Sequence, residues 1–273
     1  MNTLFFIQLL TSFVVGGGAV ALLLLLAERV SHRLSGIILA FPSTSAIGYF
    51  FLGWTLSPDA VSEIISFTFI PLGLSTLFPV LYIYSAEVLG KWVHAKRVHI
   101  LLSFLASISI WLVCAFSVIA VGVSSITVGL GGFTVLAILG YVLLHRRSYA
   151  KPVPLTYTRS QLIGRSVFVG SILVVVVFLG KTLGPVWGGI FAMFPAVLSS
   201  SLMVLHWYYQ PESLFPMFQK VSLGSLVVVV YSLTVMVVFP AVGIVLGTLV
   251  AYGVSLVTLV ILFRIQPKSE LEL

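Results

Sequence analysis

"LSGIILAFPSTSAIGYFFLGW", residues 34–54, is apolar enough to lie in a bilayer, yet Pro42 stands in its middle with Ser43, Thr44 and Ser45 behind it. A proline removes a backbone donor and clashes with the preceding turn, and hydrocarbon offers three hydroxyls no partner. The arrangement returns at residues 187–207, "WGGIFAMFPAVLSSSLMVLHW", where Phe194-Pro195 stands for Phe41-Pro42 and Ser199, Ser200 and Ser201 follow. The fold reading rests on these two stretches: an interrupted membrane helix, present twice.

Composition supplies the setting. The 273 residues are 60% hydrophobic and 8% charged, where a soluble domain carries about 25% charged residues. Such a chain is an integral membrane protein. Its apolar runs are long and continuous, as in "FVVGGGAVALLLLLA", so the spans are helices rather than barrel strands. One cysteine, Cys114, permits no internal disulfide. The start "MNTLFFIQLL" lacks the basic beginning of a signal peptide, and its apolar run is too long for one, so it is expected to remain as the first span.

Spans of roughly 20 residues place about nine helices, centred near Ala19, Ser45, Ser75, Leu112, Val135, Leu173, Leu198, Val230 and Val250. The fourth and fifth meet in a tight turn near Ser124-Ser125, and Lys181 with Gly184-Pro185 ends the sixth early. With nine spans, 13 of the 14 Lys and Arg fall in loops on one face, and only Lys181 falls on the other. The positive-inside rule makes the basic face cytoplasmic, with the N-terminus outside and the C-terminus inside, as expected for a prokaryotic cytoplasmic membrane. The net charge of +7 is then topology, and no nucleic-acid partner is expected. Labelling from outside the cell of a cysteine placed at Val153 would reverse this orientation.

A shift of 153 positions superposes the halves without a gap: Gly36 on Gly189, Phe41-Pro42 on Phe194-Pro195, Trp54 on Trp207, Pro58 on Pro211, Asp59 on Glu212, and upstream Gly17 on Gly170. Four spans return the chain to its starting face and the fifth carries it across, so the second unit enters from the opposite side. The expected architecture is an all-α polytopic membrane helix bundle of two inverted four-helix repeats joined by a central helix. Residues 1–122 form the first repeat, 123–164 the linker helix and basic loop, and 165–273 the second repeat. Inverted repeats are a common construction of secondary transporters. The "SGIILAFPS" and "GGIFAMFP" blocks also resemble the small GlpM-like bacterial membrane proteins, which are four-span units, here present as a fused duplicate. The resemblance implies a membrane protein with a transport-related role and supplies no catalytic residues.

Pro42 and Pro195 each lie eight residues into their stretch, about 12 Å deep from opposite faces, near the middle of a core about 30 Å thick. Each can open the first turn of a half-helix, leaving free N–H groups at the positive end of the helix dipole. The expected substrate-binding residues are Phe41, Pro42, Ser43, Thr44, Ser45, Phe194, Pro195, Ser199 and Ser200. A single membrane proline is more often structural, its freed carbonyls satisfied by neighbouring Ser or Thr; the matched pair favours a site. No carboxylate lies near a span centre, which argues against the common carboxylate ion site. Glu28 and Lys181, equivalent under the shift, are candidate gate residues, against local pairing with Arg29 and a snorkelling lysine. His206 reads as an interfacial anchor rather than a proton relay. Gly16–Gly18, Gly36, Gly188 and Gly189 read as packing positions.

Enzyme motifs are absent. "FLGKT" fails as a phosphate loop because Val175 stands where the first glycine belongs. His94 and His99 are five apart in a basic stretch, which is not a helical metal pair. No enzymatic activity, cofactor or metal is expected. The leading function is a secondary transporter or facilitator of a small polar solute, anionic first, with a coupling ion or a partner for any uphill step. The alternative is a non-transporting membrane assembly or scaffold protein. The bilayer is a partner in either case, and a homo-oligomer is compatible with both.

Overall fold

The computed structural model describes residues 3–29, 42–146 and 157–265. Among them the chain is all helical, with no strand, and seven helices are long and apolar enough to cross a membrane. The order is α1 (Thr3–Arg29), α2 (Ser43–Thr55), α3 (Pro58–Leu89), α4 (Lys96–Val121), α5 (Ile126–His145), α6 (Arg159–Thr182), α7 (Pro185–Ala192), α8 (Ala196–Tyr208) and α9 (Val221–Ile265). A 3-10 turn, Pro211–Leu214, and a short helical turn, Phe215–Phe218, precede α9.

Local chemistry sets the ends. Ser57 caps α3, its hydroxyl accepting from Ala60 N–H at 3.1 Å with Pro58 in the first turn. Thr158 and Gln161 form a reciprocal capping box at α6. Gly122, at φ 67°, closes α4 before the short turn to α5, in the place expected from Ser124-Ser125.

The expected eighth and ninth spans are the two arms of one element. A straight 45-residue helix would run about 68 Å, more than twice the hydrocarbon core, and α9 does not run straight. Gly243 takes φ 79° and ψ 177°, a conformation that side-chain-bearing residues rarely adopt. Beyond it the chain doubles back: a Cβ at Gly247 would lie 2.6 Å from Phe239, and the Tyr231 and Tyr252 rings sit 5.3 Å apart. Residues 221–242 and 244–265 are therefore antiparallel arms.

The axis of the bundle is α3, which carries Pro71 and Pro79. Its most apolar window is 83% buried, against 22% for α4 and 17% for α5; α4 and α5 present most of their surface outward. Outside this axis, α1 packs along α6. A Cβ at Gly17 would meet Ser166 O at 2.8 Å, and one at Gly170 would meet Phe13 O at 2.7 Å. Four residues forward on α1 correspond to four residues back on α6, so the helices run antiparallel. Phe13 and Ser166, like Gly17 and Gly170, are 153 apart, which makes this contact isologous. Gly16, Gly17, Gly188 and Gly189 act in packing as expected, a Cβ at Gly188 lying 2.8 Å from Gly180 Cα, whereas Gly18 is exposed and a Cβ there would meet nothing within 4 Å.

Three hydrogen bonds gather the basic residues at one end. Lys96 Nζ donates to Tyr209 O (3.5 Å), Gln161 Nε2 to Tyr208 Oη (2.8 Å) and Gln219 Nε2 to Leu144 O (3.4 Å). They join the starts of α4 and α6 to the ends of α5 and α8, so Lys96, Arg97, Arg146, Arg159 and Lys220 share that end, and Lys181 ends α6 at the other. Three positions differ from the sequence reading. Arg165, counted as a loop cation, is inside α6 and 3% exposed; His99, read as a basic-stretch residue, is buried in α4; and His206, read as an interfacial anchor, is fully buried. Each sits where a helix end is covered by its neighbours.

Candidate functional site

The two proline breaks recur in backbone detail. Pro42 (φ −71°, ψ 70°) precedes the 13-residue α2 and Pro195 (φ −78°, ψ 57°) precedes the 13-residue α8. Neither helix has a side-chain cap. The first N–H groups of each therefore lack intrahelical partners and concentrate the positive end of the dipole. α2 packs against α7, the helix that leads into the second break: a Cβ at Gly48 would lie 3.0 Å from the Cβ of Ala192, the last residue of α7.

Their surroundings differ. At Pro195 the break is sealed. Ser75 Oγ, from the centre of α3, donates to Met193 O at 2.5 Å and accepts from Trp111 Nε1 of α4 at 3.1 Å. The Phe194 ring packs edge-on to Trp111 (5.3 Å) and Phe78 (6.3 Å). The serines behind it turn back on their own helix, Ser199 Oγ to Pro195 O at 2.7 Å and Ser200 Oγ to Val197 O at 3.0 Å. Ser75, by holding Met193 O, gives a partner to a carbonyl that the break leaves outside the helical ladder.

At Pro42, which is buried as Pro195 is, the described residues offer different partners. Ser43 and Thr44 are half-buried and Ser45 is buried, and among the described residues none of their hydroxyls is hydrogen-bonded. Tyr252 Oη donates to Pro42 O at 3.5 Å. From there a polar row enters the bundle: Tyr252 against Tyr231 (5.3 Å), Tyr231 stacked on Tyr49 (6.4 Å), and Tyr49 Oη bonded to Thr68 Oγ1 (2.9 Å) and Ser232 Oγ (3.3 Å). Phe41 and Gly36 lie outside the described residues, as does the Glu28 side chain; Lys181 is exposed at the end of α6.

Arg165 was legible only as a charge. Its Nε donates to Ser200 Oγ (3.3 Å) and its Nη2 to Ser201 Oγ (2.6 Å), and its guanidinium lies 4.7 Å from the Tyr157 ring centre. It ties α6 to the serine cluster of α8. Arg165→Lys keeps the charge but loses the planar fork. It is expected to lower unfolding stability in detergent by about 2 kcal/mol, the scale of hydrogen bonds to charged groups. A variant as stable as the parent would show that the fork contributes nothing.

Nearby, Tyr82 Oη and His206 Nδ1 share a 3.0 Å hydrogen bond, the His99 and His206 rings meet edge-on at 4.6 Å, and His99 Nε2 donates to Ala86 O at 2.7 Å. Ser75 and Trp111 were also missed as functional positions. The signal for Ser75 was its place four residues from both Pro71 and Pro79. The latter frees the Ser75 carbonyl and marks a polar point in an apolar helix.

A family model described as a protein of unknown function, DUF3147, matches residues 162–267. No curated protein and no solved structure matches the chain.

Proposed function

We propose that the protein is a secondary transporter or facilitator of a small polar solute, with an anion preferred, working through the two proline-broken helices α2 and α8. The observation that carries this reading is the recurrence of one proline break with different polar partners at its two copies. One has its carbonyl held by Ser75 and its ring buried by Trp111; the other leaves Ser43 and Thr44 half-buried beside Tyr252. Two repeats that exchange these environments would alternate access to a shared site. Duplication is supported by breaks that recur 153 positions apart and is compatible with a family model that covers residues 162–267; inversion is supported by the antiparallel, isologous meeting of Gly17 and Gly170. In the proposed topology the arms of α9 make up nine spans, and the basic end is cytoplasmic.

An anion ranks first because each break pairs a helix N-terminus with hydroxyls and no carboxylate, then a neutral solute, then a cation. Flux into proteoliposomes across a panel of small carboxylates, phosphates, polyols and cations tests the function. Saturable uptake of an anion is expected. A Ser43→Ala/Thr44→Ala double variant that keeps its fold is expected to lose affinity about tenfold or more, since each lost hydrogen bond contributes about 1 kcal/mol. A protein that moves none of the panel is a non-transporting assembly factor instead.

A further inference from the structure

We infer that the basic end carries a binding site for an anionic phospholipid, with the phosphate at Arg97 and an acyl chain in the crevice between α4, α6 and α8. That crevice, about 380 Å³, is lined by Arg97, Ile100, Gln161, Met203, Val204 and Trp207. Its two ends differ in kind. Ile100, Met203 and Val204 make an apolar wall, and the Phe104 and Phe168 rings, 5.9 Å apart, lie about two turns deeper on α4 and α6. At the mouth stand the exposed Arg97, its guanidinium 6.0 Å from the Trp207 ring centre, and the first turns of α4 and α6. Cation, interfacial tryptophan and apolar slot in this order match a lipid headgroup above its chain.

The equivalent place at the opposite end shows what makes the crevice. Shifted by 153, Met203 and Val204 become Phe50 and Phe51, Trp207 becomes Trp54, Gln161 becomes Gln8 and Arg97 becomes Val250. There Gln8 Nε2 donates to Trp54 O at 3.1 Å, and Phe51 packs on Phe50 (5.6 Å) and Trp54 (5.7 Å). The Phe50 and Phe51 rings occupy that place, and Val250 stands at the position equivalent to Arg97. The crevice end differs in both respects, with Met203 and Val204 where the phenylalanines stand at the other end and Arg97 at its mouth. A free anion would need the charge alone; the apolar wall is the part only a lipid uses. The site is independent of transport.

Quenching of Trp207 by brominated phosphatidylglycerol and brominated phosphatidylcholine, at equal mole fraction around the full chain, tests the assignment, with a Trp207→Phe variant as the baseline for the other tryptophans. Phosphatidylglycerol is expected to be preferred about fivefold, the effect of one basic side chain at a membrane surface. Arg97→Gln, an exposed change, is expected to bring the ratio close to one. Met203→Phe/Val204→Phe, which restores the residues of the other half and keeps Arg97, is expected to remove quenching by either lipid. A preference that survives Arg97→Gln, quenching that survives the paired phenylalanines, or displacement of the brominated lipid by millimolar inorganic phosphate would each overturn the lipid site.

Discussion

Leucine at Gly170 is expected to destabilise the protein by about 3 kcal/mol or more, the upper range for overpacking, and leucine at Gly17 by nearly the same amount. At both positions the added carbon meets backbone first, Phe13 O at 2.7 Å (with the Phe13 ring at 3.1 Å) and Ser166 O at 2.8 Å, so a whole helix must move. The prediction of equal costs comes from geometry: the two contacts are one contact seen from its two sides. Unfolding of each variant in mixed detergent reads the costs directly. If Gly17→Leu were tolerated while Gly170→Leu unfolded the protein, the α1–α6 crossing would not be isologous.

Alanine at Ser75 is expected to cost about 2 kcal/mol, because one hydroxyl serves three buried partners, its proton shared between Met193 O and Pro71 O (2.9 Å) while it accepts from Trp111. Its loss leaves Trp111 Nε1 without an acceptor and Met193 O without a donor, and an unsatisfied buried group costs about 1–3 kcal/mol. Trp111 and Phe194 are almost fully buried, so water cannot readily replace the hydroxyl. Ser75→Thr, which keeps the hydroxyl and adds one methyl, is expected to cost less than half as much. Equal losses for the two variants would mean that packing, not the hydroxyl, closes the break at Pro195.

Helix content and the places where helices stop were open to reading because apolar length, proline and glycine act locally. Gly184-Pro185 ends α6 where expected, and α2 and α8 begin directly behind their prolines. The reversal at Gly243 was harder. Its two arms read as separate spans, and nothing local says that Gly247 will press on Phe239. The site was legible as a pair of breaks, but the difference between them was not, because the sealing groups come from remote elements. Ser75 is 118 positions from Met193, and Trp111 lies on another helix again. Arg165, His99 and His206 were misplaced for a related reason. A polar residue near a helix end reads as interfacial, and only the packing of neighbouring helices puts it inside.

Alternate exposure of the two breaks is the central claim, and reactivity of paired cysteines at Thr44 and Val197 measures it most directly. The two positions are 153 apart, one residue into each half-helix after its first. With Cys114 replaced by alanine, sealed vesicles of each orientation are treated with a membrane-impermeant thiol reagent. The account predicts that T44C reacts from one face only, that V197C reacts from the other face only, and that adding Ser75→Ala speeds V197C. Reaction of both cysteines from the same face, or a V197C that stays inert even with Ser75 replaced, would contradict it.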